Sequence, residues 1–529
     1  MEQWRLLDTG PRSAAENMAL DEVILKARSQ GVVPNTVRFL QFRPEAVLIG
    51  YHQCVEQEVR VDFCLKQGID INRRITGGGA ILFDETQLGW ELISSKRDLG
   101  FSLNLEPLFE RICKAVVYAL RGFGLNANFR PKNDIEVQGR KISGTGGTEE
   151  GEAFLFQGTL LVDFDAERML KALRIPTEKL KDKEIESLKE RVTCLKSELG
   201  YVPSITLIKK AIKEGFEKVF GVELVEGELT GKEVGDFLQL KGRFESQDWI
   251  NMRKAYGEHH ALRSAFKTKG GLIRVSLVFN TGLRRVQHIF ITGDFFAYPR
   301  RAILDLEASL REARVEDIPG IVEGFFSKKG PIIPGVSPGD FIQAINLAIE
   351  KAFLTRYGFT SLEANHVFTV VEPMDEVLKR EVSLVLFPYC AKAIECNFRY
   401  KKDCLECGEC TVGEGYRMAK GLCIDPCTVI NFEDLEGSLM EAKRRGVQAF
   451  IGCCCEPFYI KHKEDFERIG LPGLLVDIDN TSCYDLGKAR EARQGKFEGR
   501  TDLKLGLLEK VLELAKNSYQ PSVISRQKG

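Results

Sequence analysis

The stretch RRITGGGAILF, residues 73–83, decides how the first half of this chain is read. Two arginines, a β-branched pair and three consecutive glycines run into an apolar strand pattern. Glycine lacks a Cβ, so its backbone can approach a ligand closely and adopt positive φ. Three in a row leave successive N–H groups able to converge on an anion. Arg73 and Arg74 would add bidentate donors for phosphate or carboxylate. The plain alternative is a mobile turn between strands. Spacing excludes two phosphate motifs, since there is no GxxxxGK[ST] and no GxGxxG opening a helix after a strand.

Outward from this stretch, the 529 residues are too many for one ordinary core, and two to four domains are expected. Lys+Arg (75) almost cancels Asp+Glu (76), which argues against a nucleic-acid partner. The N-terminus carries no signal-peptide pattern and no run of about 18 apolar residues follows, so no membrane partner and a cytoplasmic location are expected.

Before the glycines, residues 13–28 read as a helix, with Ser13 and Glu16 as a capping box. TVRFLQF, AVLIG, GAILF and LGWELI read as strands of a mixed sheet. NLEPLFERICKAVVYALRGFG is a long helix, DIEVQGRKISG a hairpin turning near Gly139, and the charged stretch 177–200 a solvated helical connection. This first unit closes near residue 225. Two alternating strands (271–279 and 285–296) and the helical AILDLEASLREA make a small α+β module over 230–326. KKGPIIPGVSPGD reads as a linker. A third unit over 335–520, with Asp340 as N-cap of its first helix, alternates strands and helices as an α/β fold with parallel strands.

Fifteen cysteines are unevenly placed: Cys54, Cys64, Cys113 and Cys194 are scattered, while eleven fall between Cys390 and Cys483. In a reducing compartment such clustering points to metal or redox chemistry more than to disulfides. Cys404, Cys407 and Cys410 have CxxCxxC spacing, followed by Cys423 and Cys427, which suits an iron–sulfur cluster, with structural zinc as the alternative. Cys453, Cys454 and Cys455 end one strand pattern and Cys483 follows another. In an α/β sheet such positions converge on a common crevice.

About sixty residues after the glycines comes KNDIEVQGRKISGTGGTEEGEAFLFQGTLL. Lys141 lies there among glycines, and a lysine held against an acyl–phosphate anhydride stabilises charge growing on the acyl oxygens. Taken with NMALDE (17–22), AVLIGYHQ (46–53), the RR…GGG strand and GTLL (158–161), this segment resembles the lipoate–protein ligase family over residues 1–225. The module at 230–326, through ITGDFF and DLEASL, resembles the accessory domain of such ligases. The third unit resembles a cysteine-rich prokaryotic family of unknown function, through GCCCEP and GLPGLLVDI.

The resemblance implies an α+β catalytic domain with a mixed sheet, a small α+β accessory domain and a C-terminal α/β cysteine-rich domain. It implies ATP- and magnesium-dependent activation of lipoate or octanoate to an acyl-adenylate. The acyl group would then pass to a lysine of a lipoyl carrier domain, of the glycine-cleavage H or 2-oxoacid dehydrogenase E2 kind. Arg74, Gly77, Gly78, Gly79, Ala80, Ile81 and Leu82 would line the acyl-adenylate pocket. Lys141 would be the catalytic group, and Asn133 and Asp134 would sit near nucleotide and magnesium. Gln53 is a further candidate. The family commonly carries histidine near FDE (83–85) and before the GT step, where this chain has Phe83-Asp84-Glu85 and Phe156-Gln157. The usual SGSAQ is SGTGG here.

Octanoyltransferases of the same fold use a cysteine thioester, in the monomeric type shortly before the lysine segment. NANFRPKNDIEVQGRK has none. The biotin-ligase GRGRxGR loop is also absent. The alternatives are an octanoyl or lipoyl transferase, or a non-catalytic lipoyl-handling protein serving an iron–sulfur-dependent assembly step.

Overall fold

The computed structural model describes residues 1–101, 105–131, 133–174, 192–253, 261–479 and 499–518. Most of the 177–200 stretch and Cys483 lie outside the described residues.

The first unit is built on an eight-stranded mixed sheet in the order β11-β1-β2-β6-β10-β9-β8-β7. Its strands are β1 (Glu2–Arg12), β2 (Thr36–Phe42), β6 (Leu88–Ser95), β7 (Ala127–Arg130), β8 (Asp134–Val137), β9 (Arg140–Glu150), β10 (Ala153–Leu160) and β11 (Val222–Glu226). A second sheet, β4-β3-β5, is formed by β3 (Ala46–Ile49), β4 (Asp70–Arg73) and β5 (Ile81–Phe83). Strand side chains alternate faces, and the burial follows that rule. Leu6, Phe39, Leu92 and Phe154 enter one core, while Leu7, Leu40, Ile93 and Leu155 enter another. The first core is covered by α2 (Glu106–Gly122) and α3 (Ile205–Phe220). The second is covered by α1 (Ala14–Ser29) and the small sheet. The capping box expected at the start of α1 is present: Ser13 Oγ accepts from Glu16 N, and Glu16 Oε2 accepts from Ser13 N at 3.1 Å.

The second unit opens with α4 (Gly231–Glu245), which packs along α1. A meander follows, of β12 (Leu262–Lys267), β13 (Leu272–Asn280) and β14 (Arg285–Gly293), with α5 (Ala302–Leu310) and α6 (Ile318–Lys329). The Pro/Gly stretch after α6 is packed rather than extended as a spacer: Ile333 is buried and Tyr298 and Ile332 exchange backbone hydrogen bonds. Its proline and glycine content serves tight turns against the module. The next helix, α7 (Pro338–Phe353), is capped by Ser337, with Asp340 at the third helical position completing a capping box. The residue expected as N-cap is therefore its reciprocal partner. α7 lies on β12 and β13, and one apolar core runs without a break from Leu262 to Ala515.

The third unit has the sheet β15-β19-β18-β16-β17, from β15 (Val367–Val370), β16 (Val382–Pro388), β17 (Asp425–Val429), β18 (Ala449–Cys453) and β19 (Gly473–Val476). Pairings β16–β17, β16–β18 and β18–β19 are parallel, and β15 joins β19 antiparallel. The helices are α8 (Thr411–Gly421), α9 (Phe432–Arg444), α10 (Glu456–Ile469) and α11 (Leu505–Ser518). Among the described residues, no helix is long and apolar enough to cross a membrane.

Candidate active site

A cavity of about 820 Å3 opens between the large sheet and the loop joining β4 to β5. Arg74, Gly77, Gly78, Gly79, Ala80, Ile81, Leu82, Asn133, Asp134 and Lys141 all line it. The pocket residues expected from the sequence are thus gathered in one wall system, except the further candidate Gln53, which is not in the lining.

The arginines do other work than expected. Arg73 is fully buried and donates from Nη1 to the carbonyls of Gly50 (3.0 Å), Tyr51 (2.9 Å) and Gln53 (2.6 Å), and from Nη2 to that of Ile250 (2.8 Å). Arg74 donates to the carbonyls of Leu48 (2.7 Å), Gly77 (3.2 Å) and Gly79 (2.9 Å). Both guanidiniums are satisfied by backbone, so they shape the glycine loop instead of presenting a fork to an anion. Burial lowers Arg74 to about 10, offset by Asp21, and it stays charged at neutral pH. Gln53 is also structural, its Oε1 accepting from Gly50 N at 2.8 Å.

Lys141 is one of several cations in the lining, with Arg130, Lys267 and Lys269. It lies on β9 just after the Gln138-Gly139 turn, whose φ values of 50° and 79° are the left-handed pair that hairpin needs. Its Nζ stands 2.6 Å from Asp134 Oδ1 across the β8–β9 pair, and the side chain is 38% exposed. Gly144 makes room for it: a Cβ there would be 2.8 Å from both Cε and Nζ of Lys141. Asn133 is fixed by reciprocal bonds with Thr145, donating from Nδ2 to its carbonyl and accepting at its own carbonyl from Thr145 Oγ1, both 2.7 Å.

The structure adds residues that the sequence reading missed. Gln87 and Gln157 line the cavity, each with a buried Oε1 lacking a hydrogen-bond partner. Glu91 lines it too, in a buried group where Arg38 Nη1 donates to Asp21 (2.6 Å) and Glu91 (3.1 Å). Two carboxyls share one guanidinium, and burial pushes both upward, Glu91 well above the usual range with Asp21 adding to it. Asp84 and Glu85 turn outward: Asp84 Oδ1 accepts from Thr86 N, and exposed Glu85 pairs with Arg43.

The second unit supplies a wall. The turn Lys267–Gly271 between β12 and β13, held by Thr268 Oγ1 accepting from Gly270 N and Gly271 N, lines the cavity together with Phe296. A Cβ on Gly77 would come within 2.7 Å of the Phe295 carbonyl oxygen, and one on Gly146 within 2.8 Å of the Phe296 ring. A lysine followed by two glycines at a hairpin was the available signal in the sequence.

A family profile described as the lipoyl protein ligase A/B catalytic domain matches residues 13–217. An octanoyltransferase LipM from Halalkalibacterium halodurans is 30% identical over 279 residues, covering 48% of this chain and 100% of that relative. One from Kyrpidia tusciae is 31% identical over 276 residues, covering 48% and 100%. The chain belongs to the lipoyl protein ligase A/B family. A bipartite lipoate protein ligase of Thermoplasma acidophilum, solved with its E2 lipoyl domain in the same study, is 30% identical with a TM-score of 0.43, covering 48% of this chain and 97% of that one.

In this family member no cysteine lines the cavity among the described residues. Cys113 comes near, on α2 against Thr145, but it is fully buried and burial pushes its thiol far above the ordinary value. Cys54, Cys64 and Cys194 are likewise buried.

The five expected metal ligands do not gather. Cys404 is partly buried and accepts from Glu406 N at 3.3 Å. With Cys410 and Cys396 it acts on Lys392, a buried ammonium that donates to the carbonyls of Phe398, Lys401 and Asp403. Cys407 and Cys423 are exposed, and Cys427 lies on β17 beside Lys402. Cys410 caps α8 and is drawn into the core, while the left-handed Glu406 and Gly408 turn Cys407 outward. Among the described residues no three His, Cys, Asp or Glu side chains stand where they could hold a metal ion. The described residues thus do not show the expected iron–sulfur or zinc centre.

Proposed function

We propose that the chain activates lipoate or octanoate with ATP to an acyl-adenylate and transfers the acyl group to a lysine of a lipoyl carrier domain. The observation that carries this reading is a cavity with Lys141 in its wall and, among the described residues, no cysteine in its lining to hold an acyl group. The carboxylate of the acid attacks the α-phosphorus of ATP and pyrophosphate leaves. The Lys141 ammonium neutralises charge growing on the α-phosphate and acyl oxygens as that bond forms. Asp134 keeps the ammonium in register beforehand, and Gly144 leaves it space to swing. The carrier's lysine amine then attacks the acyl carbonyl and AMP departs. Asp134, the carboxylate beside Lys141, would be the protein's contact to a magnesium ion brought in with ATP, which would neutralise the phosphates.

A second reading, octanoyl transfer without ATP, is favoured by the names of the two LipM relatives. It needs a thiolate near the acyl carbonyl, and such a nucleophile must be exposed and activated. Pyrophosphate release dependent on both ATP and octanoate or lipoate separates the two. In Lys141→Ala, with its melting temperature intact, that release is expected to fall by about a hundredfold or more. Transfer from an octanoyl thioester with no pyrophosphate released from either acid would overturn the ligase reading.

A further inference from the structure

The third unit holds a cavity of about 640 Å3 that the acyl-transfer reading does not use. Its place follows from topology. β17 pairs on one side of β16, and the chain then returns to form β18 on the other side and continues outward to β19. Connections thus leave β16 and β18 in opposite directions, and ligands in open α/β sheets bind at such a switch point, beyond the carboxyl ends of the strands. Cys390 follows β16, Cys453 ends β18, and both line the cavity together with Cys454. Phe432, at the start of α9, and Phe458, on α10, add aromatic faces.

One feature of the lining makes little sense without a ligand. Lys461 on α10 is 3% exposed, lines the cavity, and its Nζ has no hydrogen-bond partner among the described residues. A buried ammonium without an acceptor is costly unless a counter-charge arrives. Glu433, Glu436, Glu464 and Asp465 also line the cavity, and among the described residues none of them bonds to Lys461 Nζ. Asp465 is engaged by His462 (2.9 Å) and Arg468 (3.3 Å), and Glu436 by Arg468 (2.8 Å). Asp477 accepts from Glu456 N and pairs with His366 Nδ1 at 2.8 Å. The thiols are neutral: burial raises Cys390 to about 12, and burial with Asp477 raises Cys453 and Cys454 as well.

We propose that this cavity binds a small organic anion with an apolar body, its charged head on Lys461 and its body between Phe432, Phe458 and the strand ends. The inference stands on the third unit alone and does not depend on the acyl-transfer reading.

Amide hydrogen exchange on the full chain tests it, with octanoate as an amphipathic anion, octanol as its uncharged counterpart and inorganic phosphate as an anion without a body. Octanoate is expected to slow exchange over residues 450–466, with octanol and phosphate needing far higher concentrations. In Lys461→Met the octanoate midpoint at these residues is expected to rise about tenfold, the worth of one charge-assisted hydrogen bond. The unliganded variant is also expected to melt higher than the parent, because an unpaired buried charge is gone. Lys461→Arg, which keeps the charge, is expected to retain most of the affinity, so the proposal stays testable if the methionine variant folds poorly. Absence of slowing at 450–466, an unchanged midpoint in Lys461→Met, or equal protection by phosphate or octanol would overturn it. Peptides over 73–83 report the acyl cavity separately, so protection there alone would refute this site and leave the other intact.

Discussion

Gly144→Ala tests the position of Lys141 without touching its charge. The new Cβ would stand 2.8 Å from Lys141 Cε and Nζ, and no other atom lies within 4 Å. Ordinary carbon contact is about 3.5 Å, so the lysine tip must retreat by roughly 0.7 Å, away from its 2.6 Å contact with Asp134. Only the flexible end of one side chain is displaced. Gly144 has no left-handed φ, so alanine is not strained there, and glycine to alanine in a strand gains about 0.5 kcal/mol. The fold is therefore expected to melt at or slightly above the parental temperature. Chemistry is less forgiving, because a misplacement of about 1 Å costs about a hundredfold. Acid-dependent pyrophosphate release is expected to fall by about ten- to a hundredfold, in kcat more than in KM for ATP. Release within about twofold of the parent, with melting unchanged, would show that Lys141 does not act at the reacting phosphate, and the site argument would fail with it.

Two pH effects follow from buried groups. Glu91 is held well above its ordinary value of 4.5 by burial and then Asp21, so its share of stability is full below 4.5 and is lost as pH rises and the unfolded chain ionises. Glu91→Gln should remove that loss, and the variant-minus-parent melting difference should grow more positive from about pH 5 to 8; a flat difference refutes the upward shift of Glu91. His52 is held well below 6.5 by burial, with Arg253 and Arg73 adding repulsion, so its share is full above 6.5 and lost as pH falls through that value. It stacks on Phe295 at 5.4 Å, and His52→Phe should flatten the fall in melting temperature between about pH 7 and 5; an unchanged slope would place the acid sensitivity elsewhere.

The first unit was legible because its signals are local. Ser13 and Glu16 wrote a helix start, Gln138-Gly139 wrote a hairpin, and parallel strands of the third unit read as short apolar runs. What escaped depends on contacts between distant segments. Nothing in the string RR distinguishes an anion fork from a pair of backbone clamps; burial decides it, and burial is set by Leu48, Trp249 and Ile250 far along the chain. The Pro/Gly stretch before Ser337 has the composition of a spacer and of a tight packed loop alike. The CxxCxxC run forms no metal-holding group among the described residues for a related reason. Chain spacing brings thiols near one another, but a helix start at Cys410 and two left-handed residues before it send them in different directions.

The glycines themselves are explained by the second unit as much as by any ligand. Gly78 has a φ of +96°, and a Cβ on it would be 3.1 Å from the Phe296 ring. With Gly77 against the Phe295 carbonyl and Gly146 against the same ring, each of these three lacks a side chain because the 295–296 turn is there. The 267–271 turn and Ile332 extend that wall across the cavity mouth. A fragment ending near residue 225 would keep Lys141, Asp134 and the glycine loop but lose the surface that the loop is shaped to meet. Arg73 points the same way, since part of its cage is the Ile250 carbonyl. The cavity around Lys141 is therefore a joint property of the first two units, and what the sequence presented as an anion cradle is equally a docking surface for Phe296.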